Sequence, residues 1–128
     1  MTIHKIHADL DWTNCVYVGR PHRFVPAHAL GRDGRFANPF PVQGTSIEAR
    51  FAAIEEFCSW VLSNDDRAQH LRRSLGQLQG RDLVCWCTPK RCHAEVLELL
   101  VAGAGHEELA RYVADLHAEL VPQTLFDL

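Results

Sequence analysis

The sequence predicts an α/β fold: a small, mostly parallel sheet flanked by helices, in a single domain. Three observations point there. Two short runs, "NCVYVGR" and "DLVCW", have the β-branched and aromatic make-up of buried strands. Four other stretches place apolar residues at helical spacing. The two kinds alternate along the chain, which favours parallel strands joined through helices. At 128 residues, 47% of them apolar, the chain suits one domain whose core needs no disulfide staples.

Taken in order, "TIHKIH" reads as an edge strand and Cys15 to Gly19 as a buried one. From Pro21 to Gly44 four prolines and three glycines predict an irregular stretch, with a tight turn at Arg32 to Gly34. In "TSIEARFAAIEEFCSWVLS", Thr45 and Glu48 form a capping-box pattern, and Ile47, Phe51, Ile54, Cys58 and Val61 make one apolar face. "DDRAQHLRRSLGQLQG" predicts a second helix with Leu71, Leu75 and Leu78 inside and Gly80 as its stop. "DLVCW" follows as a strand, and Pro89 breaks the chain after it. A third helix starts near His93, carries Val96, Leu97 and Leu100, and ends at Gly103. A fourth spans His106 to Leu120 with Leu109, Val113, Leu116 and Leu120 aligned, and "VPQTLFDL" reads as an irregular tail.

Composition narrows the function classes. A net charge of −3 argues against a protein that grips nucleic acid electrostatically, although 11 of the 13 basic residues are arginine and a local cluster is open. No run approaches the roughly 18 apolar residues of a membrane helix, and the start lacks the apolar segment of a signal peptide. The expected location is therefore cytoplasmic, where thiols stay reduced. Five cysteines, an odd number, also fit poorly with a disulfide framework.

Three of those cysteines and a histidine, Cys85, Cys87, Cys92 and His93, fall within nine consecutive positions. Cys85 and Cys87 sit two apart on a strand end and share a face. Cys92 begins the next helix, whose positive end favours thiolates, as do Lys90 and Arg91 beside it. In such α/β sheets this carboxyl edge of the strands is where ligands bind. One reading is a metal centre with Cys85, Cys87 and Cys92 as ligands: zinc, completed by His93 or a remote His22 or His28, or a [4Fe-4S] cluster. C-x-C-x4-C-H is not a standard zinc-finger spacing, and adjacent Cys92 and His93 diverge. A second reading is a thiolate nucleophile, with Cys85 and Arg91 spelling the C-x5-R cradle of cysteine phosphatases and rhodanese-like loops. That cradle prefers small residues, and Trp86 and Pro89 fit it poorly. The third reading is packing, since free cysteine is among the most buried residue types. It is preferred for Cys15 and Cys58, and Trp86 is expected in the core.

"VYVGRPHRF", "GRFANPF" and "GRDLVCWCTPKRCHAEVLELL" together resemble a bacterial and phage family, domain of unknown function 4326. Its members look like Y-I/V-G-R-P, then G-N-P-F, then C-W-C…C-H before a helix. The resemblance runs from Val16 to about Leu100, and the C-W-C…C-H segment is its specific part. Ala37 departs from the family's usual glycine. The resemblance implies that Arg91 is not a regular feature of the loop, which weakens the phosphatase cradle. A second family, domain of unknown function 488, is similar in its strand–C…C-H–helix segment and carries a carboxylate where Cys87 stands. That likeness makes Cys85, Cys92 and His93 the shared set.

The family segments select further positions. Arg20 follows the first buried strand and suits a phosphate or carboxylate clamp. Asn38 either reads a base edge or caps the turn at Pro39. Phe40 and Phe36 either stack on a base or pin the loop to the core. The resulting expectation is a small enzyme of unassigned reaction that binds a small anionic ligand, such as a nucleotide or nucleobase derivative. Arg20, Asn38, Phe40, Lys90 and Arg91 would bind it, with Cys85, Cys92 and His93 catalytic. The rival is a non-enzymatic, zinc-stabilised or ligand-binding module that meets protein partners through the acidic face Glu107, Glu108, Asp115 and Glu119.

Overall fold

The computed structural model describes residues 1–87 and 90–126, with side chains up to 120. Three short strands form one all-parallel sheet: β1 (Ile3–Lys5), β2 (Cys15–Tyr17) and β3 (Asp82–Cys85), in the order β1-β3-β2. Ile3 pairs with Leu83 on one side and Val16 with Leu83 on the other, so β3 is the centre and β1 an edge, as the sequence predicts. The β2 ladder runs one bond past the strand, where the Val18 amide donates to the Val84 carbonyl at 2.9 Å.

Side-chain alternation divides the sheet's two faces. Val16, Val18, Leu83 and Cys85 join the main core with the helices α1 (Ile47–Val61), α2 (Asp66–Arg73), α3 (His93–Val101) and α4 (His106–Phe126). Cys15, Tyr17 and Val84 face the other way and are covered only by irregular chain, through Val25, Ala29, Ile6, Leu10 and Trp12. The expectation of flanking helices is thus met on one face. Loops cover the other.

Several details differ from expectation. The cap of α1 is Ser46, whose Oγ accepts from the Ala49 amide at 3.0 Å, and not Thr45 one residue earlier. Ile47, expected inside, is 54% exposed, because the first turn of α1 overhangs a core that begins at Phe51. The second helix stops at Arg73 and a 3-10 turn, Leu75–Leu78, completes the segment, with Leu71 and Leu78 buried. α4 continues to Phe126, through most of the tail read as irregular. Trp86 is 40% exposed rather than core. It does lie on the Tyr17 side, but β3 has ended at Cys85, and the His22 ring of the covering loop packs 4.7 Å from the indole while leaving it partly open. Pro89, the expected chain break, lies outside the described residues, as do Thr88, Asp127 and Leu128. Among the described residues no helix is long and apolar enough to cross a membrane.

Candidate functional site

The parallel register puts the carboxyl ends of β2 and β3 side by side, and the chain leaves both in loops. Gly19 is required at the β2 exit: a Cβ there would stand 2.6 Å from Tyr17 Oη. The Tyr17 hydroxyl donates to the Arg20 carbonyl at 2.6 Å and accepts from Trp86 Nε1 at 2.9 Å, so it ties the loop after β2 to the loop after β3. Burial raises the Tyr17 pKa, which keeps the hydroxyl protonated for this role.

Beyond these strand ends lies a cleft of about 400 Å³. Arg20, Asn38, Phe40, Arg91, Cys85, Cys87, Cys92 and His93 all line it, so one space gathers every expected site residue except Lys90. Lys90 is exposed and lines a neighbouring pocket at the start of α1, which shares Arg50 and Arg91 with the cleft. His22 lines the cleft too, whereas His28 does not.

His93 is buried, and its Nε2 faces two backbone carbonyls, Val18 at 2.7 Å and Phe36 at 3.0 Å. Both are acceptors, so Nε2 carries the proton and Nδ1 is left as the ring's acceptor. Burial holds the pKa of His93 below its ordinary value, and the nearby Arg20 charge adds to that, while the carbonyl bonds oppose it. The neutral imidazole therefore acts first as a latch, joining the end of β2, the loop at Phe36 and the start of α3.

The three cysteines are in contact. Cys85 and Cys92 are buried, with their sulfurs 3.5 Å apart, and both belong to the main core. Hydrogen bonding to Cys85, then to Cys87, then burial push the Cys92 thiol far up, so it keeps its proton. Cys87 is half-buried and is the member of the trio that solvent reaches most readily. Burial likewise raises Cys15, and raises Cys58 to about 11, which fits their reading as packing residues. A zinc site needs four donors, and with Nε2 of His93 bonded to carbonyls its Nδ1 is the ring atom that could serve as one. Among the described residues no group of three or more His, Cys, Asp or Glu is arranged to hold a metal ion.

The arginines divide. Arg91, expected to bind the anion, donates from Nε to Glu95 at 2.7 Å and from its terminal nitrogen to Glu119, and lies over the Tyr112 ring. Two carboxylates neutralise it, which removes it as the free cradle arginine of a C-x5-R loop. Arg20 is exposed and Arg50 half-exposed, and neither forms an ion pair among the described residues. No carboxylate is among the described residues lining the cleft. In a chain of net charge −3, the cleft is a local positive field.

Asn38 has both polar ends engaged by backbone. Its Nδ2 donates to the Ala53 carbonyl at 3.1 Å and its Oδ1 accepts from the Phe40 amide at 3.0 Å. These are the bonds of the turn-capping alternative. Phe36 is fully buried, and Phe40 packs edge-on to Trp60. Sequence reasoning missed Arg50, Tyr17 and Trp86 as cleft residues. Arg50 shares the inward stripe of α1 with Ile54 and Phe57, and an arginine at such a position was the available signal. The acidic face of α4 is partly engaged: Glu119 with Arg91, and Glu107 and Glu108 near Arg111 at 3.8 and 4.0 Å.

No curated protein and no solved structure matches the chain. Residues 2–103 match the family described as domain of unknown function (DUF4326), a stretch that contains all three strands and every side chain of the cleft. The chain belongs to that family.

Proposed function

We propose that the cleft binds a small anionic ligand, such as a nucleotide or nucleobase derivative, and presents it to the Cys87 thiol, the chain acting as an enzyme of thiol chemistry. One observation carries this reading: among the described residues Arg20 and Arg50 have no acidic partner, in a cleft that no described carboxylate lines, beside a half-buried cysteine. Unpaired guanidinium groups around a concave site favour phosphate or carboxylate. Cys85 and Cys92 back Cys87 from the core, and Cys92, holding its proton, is a hydrogen-bond donor within the trio. His93 holds the two loops in place. The cleft also favours this reading over the zinc-stabilised module, for which a closed set of four ligands is the expected mark.

Thiol alkylation tests it without knowledge of the ligand. Iodoacetate is anionic and iodoacetamide neutral, and both transfer their carbon to sulfur with loss of iodide. Cys87 is expected to react before the other four cysteines. Its iodoacetate-to-iodoacetamide rate ratio should exceed that of a free-cysteine peptide several-fold at low salt. That excess should shrink in about 1 M salt, where charges more than about 3 Å apart are screened, and vanish in an Arg20→Ala/Arg50→Ala protein. A ratio equal to the free peptide's, or first labelling at Cys15 or Cys58, contradicts the reading.

A further inference from the structure

We propose that the ligand is a nucleoside phosphate whose base stacks on Trp86, and that the site accepts it whichever base it carries. This rests on the anion-binding reading above and names its substrate class.

Trp86 is a large ring left 40% exposed at the cleft. It is also fixed. Its Nε1 donates to Tyr17 Oη at 2.9 Å, and the His22 ring stands 4.7 Å from it, tilted by 53°. An exposed indole held on two sides is a preformed stacking platform, and stacking on such a ring is tolerant of base identity. The same Tyr17 hydroxyl donates to the Arg20 carbonyl at 2.6 Å, so two hydrogen bonds set the spacing between the platform and the arginine's backbone. The ring and the backbone that carries the charge are thereby positioned as one unit, which suits a ligand with a flat end and an anionic end.

Base tolerance follows from what the cleft's other polar groups already do. Asn38 has both ends bound to backbone, and His93 Nε2 is bound to the Val18 and Phe36 carbonyls. Discrimination between bases needs side chains free to bond their edges. Asn38 and His93 are engaged in this way, His22 Nδ1 accepts from the Phe24 amide, and Arg20 and Arg50 are assigned to the anionic end, so stacking and charge carry recognition. A volume of about 400 Å³ lies in the range of small-molecule sites.

The test titrates the full chain with ADP, GDP, CDP and UDP, and with inorganic pyrophosphate as the base-free arm. Binding is followed by equilibrium dialysis and tryptophan emission. The four nucleotides are expected to bind within about threefold of one another. Each should bind about tenfold tighter than pyrophosphate, from stacking on one ring. Trp86→Ala should erase that margin, so that nucleotides bind this variant no tighter than pyrophosphate does, whereas Trp86→Phe, which keeps a ring, should preserve most of it. If pyrophosphate binds as tightly as the nucleotides, the base platform is overturned while the anion site stands. A preference of about a hundredfold for one base overturns the tolerance and points to edge recognition. If neither pyrophosphate nor any nucleotide binds, the inference falls together with the anion site.

Discussion

Replacing Gly31 with alanine is expected to destabilise the fold by about 3–5 kcal/mol, near the upper end for single substitutions. Gly31 has φ of +86°, a conformation that costs a residue with a Cβ on the order of 1–3 kcal/mol. A Cβ at this position would also lie 2.0 Å from the Tyr17 carbonyl oxygen, so the backbone must move. The movement strains a bond of the sheet, because the Tyr17 amide donates to the Leu30 carbonyl at 2.8 Å beside the Val16–Leu30 bridge. Tyr17 in turn carries the bonds to Arg20 and Trp86. Calorimetry should show a melting temperature at least about 10 °C lower. A drop of less than about 3 °C would mean that the Gly31 loop moves freely and does not frame the cleft.

His93→Ala should cost about 3 kcal/mol. It leaves the Val18 and Phe36 carbonyls without their donor, about 1–3 kcal/mol for each buried group, and removes a ring packed edge-on to Phe57 at 5.2 Å. His93→Gln retains a donor and should lose less. The two proteins also differ in pH dependence. The folded pKa of His93 lies below its ordinary value of 6.5 because the ring is buried. Between the folded and unfolded pKa values the unfolded chain binds the extra proton. The wild type therefore has this stability in full above about pH 6.5 and loses it as pH falls toward the folded pKa. Urea unfolding from pH 5 to 7.5 should show a steeper acid-side loss for the wild type than for His93→Gln, in which the other histidines still titrate. Parallel curves would refute His93 as a buried neutral latch.

Local chemistry was readable from the chain where it alone decides structure. β-branched runs marked β2 and β3, and Gly103 and Gly80 marked segment ends. The C-W-C…C-H segment marked the β3 exit as part of the site. What could not be read depends on pairing across long separations. Arg91 looks like a free anion clamp until Glu95 and Glu119, four and 28 residues away, bond to it. Trp86 looks like core until the second face of the sheet proves to be covered by loops that leave it partly open. Lys90 lies next to a cleft residue in sequence yet does not line the cleft. Arg50 and Tyr17 entered the site through the packing of α1 and the β2–β3 register, neither of which is a local pattern.

The central claim is that Arg20 and Arg50 make this cleft an anion site. Isothermal titration of inorganic pyrophosphate into the wild-type chain and into an Arg20→Ala/Arg50→Ala protein tests it most directly. The account predicts a single site in the wild type, weakened as salt is raised from about 0.01 M to 0.15 M, where the screening length shortens from about 30 Å to 8 Å. It predicts no measurable binding in the double variant, whose melting temperature should stay close to wild type because neither arginine holds an ion pair. Equal binding by both proteins, or no binding by the wild type, would contradict it.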